Sequence, residues 1–425
     1  MIDEVKTIDE VLVYWARVHD IDDSLIRKAY LAIQKSADAW AAVDRIAALN
    51  FAKVLETFRA EKVSESDFFG TTGYGYGDIG REKLDRMYAR IFDAESALVR
   101  WQIVSGTHAI SLAISALVRE GDEILCLTGI PHDTVRTVLD GMSERGVKWK
   151  AVYTDVARPS RLEEVLVGST KLCLIQRSAG YDSRPPFCIA DISKLIRAVK
   201  EIRPDVICMV DNCYGELVET QEPTSVGADI AAGSLIKNLG GGLAPTGGYV
   251  VGRQDLIERV KDRLTAPGLG GEVGPTLGIN RLLYQGLFLA PHVVGESLKG
   301  AIFLSNLFEI LGYNVRPTPD SARTDIVQAI DLETPENVRA FCEAVQSASP
   351  VDSYVKPEEG ELPGYPDPVI MAAGTFIQGA SIEFSADAPM RDPYTVYVQG
   401  GLVKEQAILA GLLAAKKIGP KRNRL

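Results

Sequence analysis

Lys237 stands in the run Gly233-Ser234-Leu235-Ile236-Lys237-Asn238-Leu239, between an apolar segment and five glycines at 240, 241, 242, 247 and 248. A lysine amine is a poor nucleophile while protonated and forms Schiff bases where its surroundings depress its pKa. A glycine-rich bend lets the backbone and a large ligand approach closely, because no Cβ intervenes. A lone lysine is usually a surface side chain, so the reading depends on partners elsewhere. Asp211 closes the apolar run Val206-Ile207-Cys208-Met209-Val210. At the C-terminal edge of a strand such a carboxylate meets the ligands of an open α/β sheet, although an Asp-Asn pair is also a common turn. Asp211 precedes Lys237 by 26 residues, room for a loop and a neighbouring strand, so both groups can face one pocket. Ser105-Gly106-Thr107-His108 sits where strand-like text gives way to helical text. Such a turn offers free N–H groups and the positive end of a helix dipole to a phosphate. It serves equally as an ordinary N-cap.

Other motifs carry less. Residues 75–80 spell G-x-G-x-x-G, but the preceding Ser64-Glu65-Ser66-Asp67-Phe68-Phe69-Gly70 is not the apolar strand that a dinucleotide site requires. No phosphate loop of the form G-x-x-x-x-G-K-[ST] occurs, and the four histidines lack metal-ligand spacing, so no metal is expected. The six cysteines fall mostly in apolar runs without CxxC spacing, which suits free thiols in a cytoplasm. Hydrophobic content of 46% and charged content of 24% are ordinary for a globular enzyme. A net charge of −11 argues against nucleic-acid or anionic-membrane partners. No signal-peptide pattern opens the chain, and no uninterrupted apolar run reaches bilayer length. A cytoplasmic location is expected.

The elements that must position these groups follow from periodicity. Helical spacing of apolar residues runs over 8–62, and a charged helix is predicted from 81 to 92. Strands are predicted at 97–104, 123–127, 148–152, 171–176, 206–211, 230–233 and 248–251, alternating with helices at 132–145, 191–202 and 254–265. That alternation predicts a doubly wound, mostly parallel α/β sheet. Residues 277–312 read as helix. A smaller α+β region then carries strands near 324–330, 369–372 and 381–385, helices at 335–347 and 402–417, and a basic tail. The length calls for more than one domain. The partition expected is a helical arm at 1–64, an α/β domain at 65–300 and a small α+β domain at 301–425.

With Ser-Gly-Thr, Asp211 and Lys237 in this order, the chain resembles the fold-type I pyridoxal-phosphate enzymes. More closely, it resembles the methionine gamma-lyase-like, or aluminium-resistance, family. The likeness covers most of the chain: Thr72-Gly-Tyr-Gly-Tyr76, Ser105-Gly-Thr-His108, Ile175-Gln-Arg-Ser178, Val210-Asp-Asn-Cys-Tyr-Gly-Glu216, Gly233-Ser-Leu-Ile-Lys-Asn238, Gln285-Gly-Leu-Phe-Leu-Ala-Pro-His292, Arg323-Thr-Asp325 and Met371-Ala-Ala-Gly-Thr-Phe-Ile-Gln-Gly379. The resemblance implies pyridoxal 5'-phosphate held by Lys237 as a Schiff base. Asp211 would pair with the pyridine nitrogen and make the ring an electron sink. Ser105, Gly106, Thr107 and Ser234 would bind the phosphate, and Tyr214 would line the cofactor site. Tyr74 or Tyr76 would reach phosphate or substrate across the interface of a homodimer, or of a tetramer built of dimers.

Two positions depart from the family pattern. His132, in Pro131-His132-Asp133-Thr134, replaces a tyrosine, and an imidazole can also stack on a pyridine ring. Ala179, in Gln176-Arg177-Ser178-Ala179-Gly180-Tyr181, replaces an arginine, and the segment at 140–150 is shortened. An arginine fork is the expected clamp for a substrate carboxylate. Arg391 is the first candidate and Arg177 and Arg323 the others, with Ser178 beside the substrate. Any of the three could instead serve a structural ion pair. The activity implied is β- or γ-elimination on a sulfur-containing or otherwise activated amino acid. The alternatives are γ-replacement on an activated homoserine or S-adenosylmethionine, then an aminotransferase or racemase. A nicotinamide dehydrogenase and a cofactor-free binding protein rank below these.

Overall fold

The computed structural model describes residues 10–154, 162–361 and 365–421. The last residues of the basic tail, 422–425, lie outside the described residues. Two helices come first, α1 (Glu10–His19) and α2 (Asp23–Ala60), where periodicity predicts one. The break falls at Asp20-Ile21-Asp22. Asp20 is left-handed at φ 50°, and Asp22 Oδ1 accepts from the N–H groups of Ser24 and Leu25. A carboxylate that takes up free N–H groups starts a new helix instead of continuing the old one.

The chain forms two compact units, each considered by itself. One is Ala48–Pro291; the other joins the residues up to Ala47 with those from His292 on. The first contains α3 (Ile79–Ile91), β1 (Ser96–Arg100), α4 (Gly106–Leu117), β2 (Glu123–Cys126), α5 (Asp133–Ser143), β3 (Lys148–Ala151) and α6 (Leu162–Val165). It continues with β4 (Thr170–Gln176), α7 (Ile189–Ile202), β5 (Ile207–Asp211), β6 (Ile230–Ser234), β7 (Gly248–Gly252) and α8 (Gln254–Leu264). Its sheet runs β1-β7-β6-β5-β4-β2-β3. The β3, β2, β4, β5 and β6 neighbours are parallel, and β7 runs antiparallel to both β6 and β1. It is therefore a mixed sheet, parallel through its centre. Central strands read as unbroken apolar runs because helices cover both faces, and every residue of β5 and β6 is buried. On one face Leu98, Ile110, Ala113, Ile124, Leu172, Met209 and Val250 share a core with Leu139 of α5 and Ile257 of α8.

Parallel order puts the C-terminal ends of β5 and β6 at one sheet edge, with Asp211 in register with Ala232. The chain leaves β6 at Ser234 and reaches Lys237 in three residues. A tight bend follows, with Gly241 and Gly242 at φ 53° and 75°. This bend rests on α9 (Asn280–Ile310): a Cβ on Gly286 would lie 2.2 Å from the Gly240 carbonyl oxygen. By length and apolar composition α9 could cross a membrane, but 78% of its apolar window is buried within the protein, as for a core helix.

The second unit adds β8 (Asn314–Arg316), β9 (Val327–Asp331), α10 (Pro335–Ser347), β10 (Glu359–Gly360), β11 (Val369–Ala372), β12 (Ser385–Pro389), β13 (Thr395–Gln399) and α11 (Lys404–Ile418). Its antiparallel sheet runs β10-β11-β12-β13-β9-β8. Phe303, Phe308, Phe341, Ile370, Phe384, Val396 and Leu412 form its core, together with Leu12, Ile26 and Ala29 from the opening helices. The strand expected at 381–385 is displaced: pairing with β13 begins only at Ser385. Glu383 folds back instead, accepting from the N–H groups of Phe376 and Ile377 at 2.7 and 2.9 Å.

The contact between Gly240 and Gly286 makes a direct prediction. Gly286→Ala should lower stability by about 1–3 kcal/mol, the usual cost of overpacking. A thermal melt checks this, and a melting temperature equal to that of the unsubstituted protein would contradict the contact.

Candidate active site

Asp211 is buried at the end of β5, with Oδ1 accepting from the Cys213 N–H at 3.1 Å. Burial raises its pKa, while the nearby charge of Lys237 pulls it down. Half-buried Lys237 places Nζ 3.8 Å from the centroid of the Tyr214 ring. Desolvation opposes charge on this amine, but the acidic neighbours Cys213, Tyr214, Asp211 and Glu216 outweigh it and favour the ammonium form. The direction is opposite to the depressed pKa expected from the sequence. The physical reason is the concentration of acidic groups around one amine in a pocket with little water. Tyr214 holds its ring there at the cost of a left-handed backbone, φ 72°. Such strain persists where the surroundings enforce it, and it collects at functional sites.

Beside this pair, α4 presents its N-terminus. Ser105 is the N-cap, its Oγ accepting from the His108 N–H at 3.0 Å. Thr107 Oγ1 donates to Thr134 Oγ1 at 3.2 Å. Gly106 packs so closely that a Cβ would lie 3.1 Å from Cys213 Sγ and 3.2 Å from Ser234 Cβ. Ser105, Gly106, Thr107 and Ser234 thus meet at the sheet edge that carries Asp211 and Lys237. The donors suit a phosphate, and the amine and carboxylate suit an aldehyde-bearing pyridine.

His132 caps α5. Its N–H donates to Gln176 Oε1 at 2.7 Å, and its ring lies 5.0 Å from that of Tyr181, tilted by 57°. Arg184 was missed in the sequence. It donates to the carbonyls of Gln176 and Ser178 at 2.9 and 2.6 Å and lies over the Phe187 ring at 5.0 Å. Its charge acts on Asp211, lowering that group's pKa against the effect of burial.

The three arginine candidates differ in kind. Arg177 is fully buried, donating to Asn212 Oδ1 at 2.9 Å and Glu219 Oε2 at 2.7 Å, with Glu222 at 3.8 Å. Arg391 makes an exposed pair with Asp367 at 2.8 Å. Arg323 donates through Nη1 to Gln328 Oε1 at 2.6 Å, while its Nε and Nη2 are buried and find no partner among the described residues. Burial lowers its pKa to about 10, opposed by Asp325. Ser178 is buried beside Arg177.

Tyr74 and Tyr76 are 70% and 60% exposed and stack on each other at 5.5 Å. Their loop is fastened from below. Buried Arg81 donates to the carbonyls of Gly75, Gly274 and Glu272 at 2.8, 2.8 and 3.2 Å, and Asp78 accepts from Thr71 and Thr276 at 2.5 Å. The six cysteines are free, and no cluster of metal-binding side chains occurs among the described residues.

Residues 24–418 match the family model for methionine gamma-lyase. The chain belongs to this family. It is 48% identical over 373 residues to the uncharacterized protein YnbB of Bacillus subtilis (strain 168), covering 85% of this chain and 88% of YnbB. It is also similar to a carbon-sulfur lyase involved in aluminum resistance from Clostridium novyi NT. That structure aligns with TM-score 0.91 and 44% identity, over 95% of this chain and 98% of the other. A Campylobacter jejuni subsp. jejuni NCTC 11168 structure holding N'-pyridoxyl-lysine-5'-monophosphate shares the fold alone. Its TM-score is 0.55 and its identity 19%, over 79% of this chain and 85% of the other. This family member is a pyridoxal-phosphate enzyme, and the donors gathered around Lys237 fit that cofactor.

Arg177 offers a test of its structural bonds. Arg177→Ala leaves Glu222 buried without its cation and should cost about 3–5 kcal/mol, the usual penalty for breaking one side of a buried pair. Urea unfolding measures it. A fully stable variant with a raised KM would instead assign Arg177 to the substrate.

Proposed function

We propose that this enzyme cleaves a carbon–sulfur bond, eliminating the β- or γ-substituent of a sulfur-containing amino acid. The observation carrying this reading is the meeting, at one sheet edge, of an amine (Lys237), a buried carboxylate (Asp211) and a helix N-terminus (Ser105 to Thr107). When bound, pyridoxal phosphate supplies an electron sink next to the substrate Cα, as in the fold-type I enzymes. Lys237 would hold the cofactor, and its Nζ would carry the proton to and from the substrate carbon. Asp211 would pair with the ring nitrogen; burial raises its pKa, and the charges of Lys237 and Arg184 oppose that rise. The N–H groups of α4, with Thr107 and Ser234, receive the phosphate. His132 and Tyr214 would line the cofactor site.

Arg323 is the arginine we assign to the substrate carboxylate, in preference to Arg391 and Arg177. Two of its guanidinium nitrogens lack partners among the described residues, and a buried donor without an acceptor is costly until a ligand supplies one. Tyr74 and Tyr76 are fastened by Arg81 and Asp78 yet largely exposed. That combination suits residues completing a site in a second copy of the chain, so the active form is a homo-oligomer.

The decisive experiment incubates the yellow protein with methionine, cystathionine, O-acetylhomoserine and S-adenosylmethionine, and identifies products by mass spectrometry. Release of a thiol with a 2-oxo acid and ammonia is expected. A product that retains the amino group and gains an added nucleophile would replace elimination with γ-replacement. Lys237→Ala and Asp211→Asn should each lower turnover by on the order of 10³-fold, within the range of acid–base groups. Arg323→Met should raise KM about 10- to 100-fold, the worth of a charge-assisted hydrogen bond, with a smaller change in kcat. An unchanged KM would remove Arg323 from the substrate.

A further inference from the structure

Glu216 is a buried titratable group to which the proposed chemistry gives no task. Its side chain is wholly excluded from solvent. Oε1 accepts from the Tyr249 hydroxyl at 2.9 Å, and Oε2 is buried with no hydrogen-bond partner among the described residues. Left-handed, non-glycine backbone lies on both sides of it, at Tyr214 (φ 72°) and Leu217 (φ 61°). The Glu216 carbonyl accepts from Asn238 Nδ2 at 2.8 Å, which ties it to the residue following Lys237. Gly233 of β6 lies against the same carboxyl. A Cβ there would stand 2.5 Å from Oε1 and 2.7 Å from the Tyr249 hydroxyl, so the missing side chain lets the carboxyl in against the strand that leads to Lys237.

The groups that feel this carboxyl come from several elements: Lys237 beyond β6, Tyr249 of β7, Tyr88 of α3, and Cys213 and Glu222 from the segment after β5. Burial pushes Glu216 up to about 8. Glu222 pushes the same way, while hydrogen bonds from its own N–H and from Tyr249, and the charge of Lys237, pull down. Burial thus favours the protonated carboxyl. Its coupling to Lys237 is reciprocal: each favours charge on the other.

We propose that Glu216 is a positioning residue that sets the proton affinity of the Lys237 nitrogen, through a carboxyl seated against Gly233 of the strand leading to Lys237 and tied by Asn238 to the residue after it. The inference rests on the pyridoxal-phosphate reading above and adds a pH response to the same site. Gly233 and the unpartnered Oε2 are what a purely structural carboxyl does not require. A structural glutamate would spend both oxygens on hydrogen bonds, as Glu222 does with Leu217 and Asn212.

The test is a visible-absorbance pH titration of the holoenzyme, where the chromophore reports protonation of the nitrogen joined to Lys237. Glu216→Gln keeps the shape of the protonated carboxyl and cannot ionise. Its midpoint should fall by about one pH unit, a tenfold drop in proton affinity and the size expected for a lost neighbouring charge. Tyr249→Phe removes the donor that favours the ionised carboxyl and should move the midpoint the same way by less. Stability gives a second readout. Burial raises the folded-state pKa, so this group's contribution is complete below its ordinary value of 4.5 and is lost as pH rises through about 8. The fall in melting temperature between pH 5 and 8 should therefore be shallower in Glu216→Gln. Midpoints unmoved in both variants would overturn the proposal, and if Glu216→Gln does not hold cofactor, Tyr249→Phe decides. Borohydride reduction and peptide mapping keep the two readings apart. If a loaded, unsubstituted enzyme shows no label on Lys237, the cofactor assignment itself falls, whereas label with unmoved midpoints sinks only the role of Glu216.

Discussion

The attraction between one carboxylate and one amine, held with little water at the ends of adjacent strands, constrains the rest of this site. Charge in a low-dielectric pocket is expensive unless paired: burial raises the pKa of Asp211, and the charge of Lys237 is the largest influence opposing that rise. Cys213 donates its N–H to Asp211, and the Tyr214 ring lies against the ammonium. Below them lies a hydrogen-bonded layer: Asn212 joins Arg177 to Glu222, while Asn238 ties the loop after Lys237 to the carbonyls of Tyr214 and Glu216. That layer enforces the left-handed turn at Tyr214. A tyrosine would not adopt it freely, and without it the ring would not meet Lys237.

The parallel centre of the sheet was legible because its strands are covered on both faces, which forces unbroken apolar runs such as Ile207-Cys208-Met209-Val210. Its punctuation was legible too, since Asp211 and Ser105 stand where strand text ends. What could not be read were features decided by contacts distant in sequence. Residues 381–385 alternate like a strand, yet Glu383 spends its carboxylate on the backbone of 376 and 377, and the ladder starts four residues late. The reversed β7 likewise carries no local mark, since an antiparallel neighbour buried on both faces reads like a parallel one.

The glycines at 75, 77 and 80 show how a motif can be present for reasons other than its name. Gly75 is left-handed and abuts Pro275, where a Cβ would lie 2.7 Å from two backbone atoms; Gly77 is left-handed; Gly80 lies so close to the Asp67 carbonyl that no Cβ fits. Gly75 answers to the packing of the loop on Pro275, Gly77 to its own left-handed backbone and Gly80 to the close approach of the Asp67 carbonyl, and none faces a strand-to-helix crossover. The pattern G-x-G-x-x-G thus arises here from holding Tyr74 and Tyr76 rigid at a surface. Two aromatic rings presented this way, on a loop fastened by a buried arginine, have already lost the entropy that binding would otherwise cost.

Ala179 is open to a similar rereading. Taken alone, its replacement of an arginine removes a cation from beside the substrate and suggests altered specificity. Arg184, five residues on, folds back so that its guanidinium is held by the carbonyls of Gln176 and Ser178, flanking the vacated position, and stacks on Phe187. Its charge reaches Asp211. The chain therefore keeps a cation at this sheet edge but anchors it by backbone acceptors and an aromatic face, which fix direction more tightly than a flexible stem does. What distinguishes this pocket is then less a missing charge than where the charge is fastened, together with the imidazole of His132 packed on Tyr181. Substitutions at 132 and 184 together, rather than at 179, are the ones that should move substrate preference.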